Sequence, residues 1–422
     1  MSDRSVAIEG GVRGAAPEPA AQVPAVQVPA AKVPAAKVPA SMFAVAVGVA
    51  VVSLFASQAL IGTLGEALGL GSAANAVTAL TLLGYAVGLV LLVPLIDLIA
   101  NRRMILLTLA AEVVSLAVAS AAPSATLFLV ASFAIGVSSS AIQMLVPTAA
   151  SLAPEAIRGR VVGNVMSGLM LGILLSRPLA SLIGGTFGWR CFYASDALLL
   201  ALVTAYLALR LPDRRPARNS TYLAFIVSLG RLLRDEPVLR KRALYQALLM
   251  ASFSAFWTSV ALLLAGAPFS LGPTGIALFA LAGAGGAVIA PIAGRAGDRG
   301  FERGATIMAH LAALLALAAA AVAIYGGLPR GLSPGLLAAA AVLLDCGVIA
   351  DQALGRRAIN MLDPQARGRV NGLFTGLFFI GSALGAGLAG PAWSIFGWAG
   401  ICGVGFIFAA AALLVHLADV RN

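Results

Sequence analysis

Twelve apolar segments of helix length, and one stretch that occurs twice, constrain this chain more than any other feature. Residues 158–189 open on Arg158-Gly159-Arg160-Val161 and close on Gly188-Trp189. They recur at 367–398 as Arg367-Gly368-Arg369-Val370 through Gly397-Trp398, at a constant offset of 209 residues. Each copy is a basic loop, a membrane-length apolar helix and a Gly-Trp at its far end. Two halves in the same order, each built around a membrane helix, are the signature of a two-bundle membrane fold.

The apolar segments fall near 42–64, 75–98, 104–122, 125–147, 161–185, 190–210, 243–265, 273–293, 305–326, 333–354, 370–391 and 398–418. Each is close to the roughly 20 helical residues that a hydrocarbon core of about 30 Å requires. The segments do not alternate over roughly ten residues, which sets a membrane β-barrel aside. With 60% apolar and 11% charged residues and a mean hydropathy of +0.97, an ordinary soluble domain is excluded. The least certain spans are the sixth, which opens on Arg190 and carries Asp196, and the tenth, which holds Asp345 and Asp351.

A net charge of +11 invites a nucleic-acid reading, but the placement of the charges opposes it. Of 28 Lys and Arg, 25 lie in the N-terminal tail, in alternate loops or at the C-terminus, nine of them between Arg210 and Arg242. The opposite loops hold only Arg190 and Arg330, and Arg177 lies inside a span. By the positive-inside rule both termini of this multi-pass membrane protein are expected in the cytoplasm. Nucleic acid is not an expected partner; membrane lipid is.

The expected domain organisation is a disordered tail at 1–40, a six-helix bundle at 41–211, a linker at 212–242 and a second bundle at 243–419. Between Ala21 and Ala40 the tail repeats AQVPA, VQVPA, AKVPA, AKVPA. A proline every fifth residue forbids continuous helix and favours extended, solvated chain. It has no apolar stretch of the kind a signal peptide carries. Within the linker, Tyr222, Leu223, Phe225, Ile226, Leu229, Leu232 and Leu233 make an amphipathic pattern, expected to lie on the cytoplasmic membrane surface with its arginines toward head groups. Glycines concentrate in spans 2, 5, 8 and 11, marking those helices for close packing.

Two loop motifs carry a family resemblance. Asp97 with Arg102 and Arg103 follows span 2, and Gly294-Arg295-Ala296-Gly297-Asp298-Arg299 with Arg303 follows span 8. Both resemble the loop signature Gly-x-x-x-Asp-Arg-x-Gly-Arg-Arg of the major facilitator superfamily. The first departs from it at Val93, Leu98, Ala100 and Asn101. Span 5, with Gly168, Gly172, Ser176-Arg177-Pro178 and Gly184-Gly185, resembles that superfamily's antiporter signature, with Arg177 where the pattern has Gly. The stretches Leu83–Gly88 and Leu344–Val348 are similar to a bacterial group of drug:proton antiporters and arabinose-efflux permeases. The resemblance implies an all-α fold of twelve membrane helices in two six-helix bundles. It implies a monomer acting on a small-molecule substrate, and a conformational lock formed by Asp97, Arg102, Arg103, Gly294, Asp298, Arg299 and Arg303. It also implies that spans 1, 4, 7 and 10 line a central cavity.

Ionisable groups inside spans are costly and are functional candidates by default. Asp345 is the foremost proton-coupling candidate. It shares a helical face with Gln352 and Arg356, 7 and 11 residues on. Arg177 stays protonated and cannot carry the proton, but could bind an anionic group or hold a carboxylate ionised; Asp345, Glu112 and backbone carbonyls are possible partners. Asp351 is expected to pair with an arginine at the cytoplasmic end, Glu112 to pack a peripheral helix, and His310 to be a packed polar residue. Uncharged cavity candidates are Gln58, Gln143, Gln246, Phe253, Phe256, Trp257 and Gln352, a set that suits an amphipathic or aromatic solute.

The sequence contains no Walker A motif, no metal-ligand spacing among Cys191, Cys346 and Cys402, and no nucleophile–base arrangement, so neither a cofactor, a metal nor enzyme chemistry is expected. Span 4 lacks the arginine that many proton-coupled members of the superfamily carry there. The expected function is secondary active transport by alternating access, with protons driving efflux of a small organic or amphipathic compound. Import or facilitated diffusion of a sugar or metabolite, and a non-transporting sensor or scaffold, are the alternatives.

Overall fold

A computed structural model describes residues 38–213, 222–329, 331–362 and 366–421, with the side chains of Asp97, Ala287, Val420 and Arg421 outside that set. The tail at 1–37 and the proline-containing part of the linker at 214–221 also lie outside the described residues. The described helices belong to one unit, Ala35–Asn422.

The first half runs through α1 (Ala40–Ala67), α2 (Ala76–Leu91), α3 (Asn101–Ala121), α4 (Ala125–Ser139) with α5 (Ala141–Leu152), α6 (Arg158–Phe187) and α7 (Trp189–Arg210). A linker helix, α8 (Tyr222–Asp235), follows. The second half comprises α9 (Pro237–Ala265), α10 (Pro273–Ala280) and α11 (Ile289–Asp298), α12 (Glu302–Tyr325), α13 (Ser333–Asn360) and α14 (Arg367–Arg421). Eleven of these stretches are long and apolar enough to cross a membrane. The last is two arms broken at Gly397 (φ 58°, ψ −141°), which is consistent with twelve crossings. Both of the least certain spans are continuous helices, α7 and α13.

The sequence repeat is visible in the backbone. Gly188 (φ 89°, ψ 154°) breaks the chain between α6 and α7, as Gly397 does between the arms of α14. Only glycine enters such backbone conformations without strain. The tryptophan after each turns inward: Trp189 packs edge-on to Phe128, and Trp398 donates its indole N–H to the Ala320 carbonyl at 3.0 Å.

Packing follows the same repeat. In the first half α1 lies along α6, α2 along α4 and α3 along α7; in the second, α9 lies along α14, the α10–α11 stretch along α13, and α12 along α13 and α14. The closest approaches depend on missing side chains. A methyl group at Gly172 of α6 would overlap the Gly48 carbonyl of α1, and one at Gly381 of α14 would overlap the Ala247 carbonyl of α9. Gly172 and Gly381 are 209 residues apart, equivalent positions in the two copies.

Large apolar side chains remain exposed at seven-residue intervals on the outer helices: Leu107 and Val114 on α3; Met308, Leu315 and Val322 on α12; Ile407 and Leu414 on the last arm. Seven residues are nearly two helical turns, so each set forms a stripe along one face. Stripes of this kind, running the length of membrane-long helices, are lipid-facing surfaces.

Candidate functional site

The two halves meet at a tie that crosses the molecule. Arg177 comes from α6, where Pro178 follows it within the helix. Its Nε donates to Gln58 Oε1 of α1 at 2.7 Å. The guanidinium carbon then lies 4.3 Å from the Trp257 ring centroid of α9, with Phe55 and Phe253 at 5.6 and 5.5 Å. Trp257 donates its indole N–H to Asp345 Oδ1 of α13 at 2.8 Å. Arg177 and Asp345 are 6% and 4% exposed and attract electrostatically, so a cation in one half faces a carboxylate in the other through an indole. The sequence left a direct Arg177–Asp345 pair open; the indole stands between them instead. The second copy of the repeat has Ala386 where the first has Arg177.

Glycine shapes the far side of this tie. The run Leu281–Val288 joins α10 to α11, and a methyl group at Gly286 would come 2.5 Å from the Asp345 Cβ. Toward the neighbouring face, Ser181 donates to the Pro273 carbonyl at 2.8 Å, linking α6 to α10. Only about 10 Å³ of void remains among Gln58, Arg177, Trp257, Ile276 and Phe279, room for about one water molecule at most. On this side the halves are sealed.

On the other side, toward the linker helix, lies a cavity of about 810 Å³. Its walls come from both halves: Leu89, Val90 and Val93 near the end of α2, Gln143 and Val146 of α5, Arg356 of α13, and Arg369, Asn371, Leu373 and Thr375 of α14. Ala224, Phe225, Ser228 and Leu229 of α8 line it too. Tyr222 of α8 donates to the Leu91 carbonyl at 3.1 Å. The linker helix, expected on the cytoplasmic membrane surface, turns Phe225 and Leu229 to the cavity and leaves Leu223 and Val227 exposed.

Of the sequence candidates, only Gln143 is among the described residues that line this cavity. It donates to the Tyr85 hydroxyl at 3.3 Å. Gln58 and Trp257 belong to the sealed tie, and Phe253 flanks it. Gln246 and Phe256 are buried inside the second half, Phe256 against Trp398. Gln352 is absent from the cavity's described lining. Arg356, on the shared face with Asp345, does reach the wall; Arg369, Asn101 and Asn371 were not singled out. A basic residue at a helix end reads in sequence as a loop charge, which hid Arg369.

The other buried ionisable groups sit within single halves. Glu112 was expected on a peripheral, packing helix; it is fully buried and accepts from Ser139 of α4 at 2.8 Å and Ser53 of α1 at 3.4 Å. Asp196 is buried in α7. In the second half, Asp351 lies 4.0 Å from Arg242 and 3.4 Å from His310 Nε2. Arg242 also binds Glu302 and, at 3.0 Å, the Thr306 hydroxyl. His310 and His416, the only histidines, pack edge-on with centroids 5.8 Å apart. In the loop motifs, Asp298 accepts from Arg357 at 2.8 Å, and Arg102 donates to the Ala208 carbonyl. Arg103, Arg299 and Arg303 are exposed, and Gly294 is half-buried. Among the described residues no cluster of His, Cys, Asp and Glu could hold a metal.

Two interlocked helical halves, joined by a buried charge tie, enclose a cavity in a multi-pass membrane protein. The family model of the Major Facilitator Superfamily matches residues 41–350. The uncharacterized transporter YgaY of Escherichia coli O157:H7 is 35% identical over 375 residues, 89% of this chain and 93% of its own. A "probable transporter", SCO4007 of Streptomyces coelicolor, is 32% identical over 373 residues, 86% of this chain and 83% of its own. The chain belongs to the major facilitator superfamily, and it is a transporter rather than an enzyme. Among solved structures it is similar in fold to the nucleoside transporter NupG, with a TM-score of 0.70 at 14% identity over 91% of this chain and 99% of that one. It is also similar to a bacterial homologue of the lysosomal transporter Spinster in an inward-facing, occupied conformation, with a TM-score of 0.69 at 14% identity over 90% and 96%.

Proposed function

We propose that this transporter works by alternating access in a bacterial inner membrane, with the linker helix on the cytoplasmic side, and exports a small amphipathic compound in exchange for protons. The observation that carries the reading is the asymmetry between the halves' two interfaces. One is closed by Arg177, Trp257 and Asp345 with almost no void; the other encloses about 810 Å³. A membrane carrier needs one gate shut while the other is open. The excess of Lys and Arg on the linker side supports the orientation.

Asp345 is the proposed coupling group. As a carboxylate it accepts from Trp257 and attracts Arg177 across the interface. When substrate has opened the sealed side and left, Asp345 takes up a proton there, which removes the charge that would hold it hydrated and lets that side close. Release of the proton to the cytoplasm restores the tie, so the proton travels opposite to the exported compound. Arg177 stays charged throughout and serves as the fixed partner. In the loop motifs, the Asp298–Arg357 contact is proposed to steady the second half during this exchange.

The experiment is dye accumulation in everted membrane vesicles across an imposed pH gradient, with wild type and Asp345→Asn. Asparagine keeps an acceptor for the Trp257 N–H but cannot carry a proton. Gradient-driven transport is expected to vanish in Asp345→Asn while solute exchange at equal pH persists. Transport by the wild type that ignores the gradient would reject proton coupling.

A further inference from the structure

The cavity's charge has one sign. Among the described residues that line it there are two arginines, Arg356 and Arg369, and no carboxylate. Other arginines nearby are engaged. Arg357 bonds Asp298 and Glu302, Arg242 bonds Glu302, Arg367 donates to the Asn360 carbonyl at 3.1 Å, and Arg102 donates to the Ala208 carbonyl. Arg356 and Arg369 form no ion pair with a described residue, and both face the cavity. A guanidinium drawn into a partly dry site without a counter-charge is costly, and an anionic ligand removes that cost.

A neutral donor stands in the same wall: Gln143 gives one amide N–H to Tyr85 and lines the cavity with the two arginines. A guanidinium offers a planar fork of N–H donors, which fits a carboxylate, sulfonate or phosphate. Around them the wall is apolar: Leu89, Val90, Val93, Val146, Leu373 and Phe225. The repeat does not demand this. Arg160 is the counterpart of Arg369, 209 residues earlier, and it is exposed outside the cavity.

We infer that the cavity binds amphipathic organic anions, with the acid group at Arg356 and the apolar body along the α2, α5 and α14 walls. This rests on the transporter reading above and narrows its substrate class. Arg369, nearer the start of α14, draws the anion in.

The test is ligand stabilisation of the full chain in phosphatidylcholine nanodiscs, with three probes of one shape: naphthoate, its neutral amide and naphthylmethylamine. Naphthoate is expected to raise the melting temperature and the other two are not. Arg356→Gln is expected to weaken naphthoate binding roughly tenfold or more, the typical weight of a charge-assisted contact. Arg356→Lys recovers part of it, and Arg369→Gln has a smaller effect. The lysine variant also guards against a folding defect. An equal or better response to the amine or amide, no response to naphthoate, or a naphthoate response unchanged in Arg356→Gln overturns the inference. Repeating the titration with phosphatidylglycerol separates solute from lipid: full displacement by that lipid assigns the site to a head group and overturns the solute. Flux in liposomes keeps the two readings apart. Amine exchange without naphthoate binding sinks the anion site and leaves a transporter. Naphthoate binding through Arg356 without gradient-driven flux keeps the site and sinks proton-coupled export.

Discussion

Trp257 donates its indole N–H to Asp345 at 2.8 Å while its ring faces the Arg177 guanidinium at 4.3 Å. One side chain of the second half thus serves a carboxylate in its own half and a cation in the other. Trp257→Phe keeps an aromatic face and deletes the donor. A hydrogen bond to a charged group contributes about 1.5–3 kcal/mol, enough to change a two-state population about tenfold or more. Expected is faster thiol labelling of Leu262→Cys, near the sealed face, in a background without the three native cysteines. Labelling that stays at the starting rate would show that this bond does not hold the gate.

The glycine contacts make a paired prediction. Gly172→Val and Gly381→Val each drive methyl groups into a backbone carbonyl of the facing helix. Overpacking of this kind costs about 1–3 kcal/mol or more. Both variants are expected to melt several degrees lower in detergent, by similar amounts, because the positions are equivalent. Gly163→Ala, where a methyl meets open space, should melt at or slightly above wild type, since glycine costs a helix about 0.5–1 kcal/mol relative to alanine. Unequal losses at 172 and 381 would contradict the structural equivalence.

Arg242 is the hub of the second half's buried network, touching Glu302, Thr306 and Asp351. Arg242→Ala leaves Asp351 buried without its guanidinium, a loss of about 3–5 kcal/mol for such pairs. Thermal unfolding should show a large drop. Adding Asp351→Asn to that variant removes the stranded charge and is expected to restore part of the stability, a coupling readable from the double-mutant cycle.

Glu112 joins three helices through Ser139 and Ser53. Glu112→Gln keeps an oxygen acceptor and should leave flux and melting near wild type. Glu112→Ala opens a void and strands the Ser53 hydroxyl, while Ser139 keeps the Ile135 carbonyl at 2.8 Å, a loss of about 2–4 kcal/mol. Gradient-driven flux abolished by Glu112→Gln would move proton coupling from Asp345 to Glu112.

The helices and their order were legible because membrane length and loop charge are written along the chain. The duplicated segment even placed the two Gly-Trp corners. Arg177 and Asp345 were legible as ionisable groups inside apolar spans. Their connection through Trp257 was not, because between Leu249 and Leu264 every residue of α9 but Phe253 and Leu262 is buried. No stripe says which aromatic turns inward, so Phe256 and Trp257 read alike. Glu112 could not be separated from an outer-helix residue, since α3 mixes buried and exposed positions without a clear polar side.

Helix α8 is both the connection between the halves and part of the cavity's rim, tethered at Tyr222 to Leu91. Whatever enters by that doorway brushes against the strap that holds the two leaves together. Exchanging α8 for a Gly-Ser spacer of equal length would keep the hinge and widen the threshold, so selectivity here is partly a property of the joint.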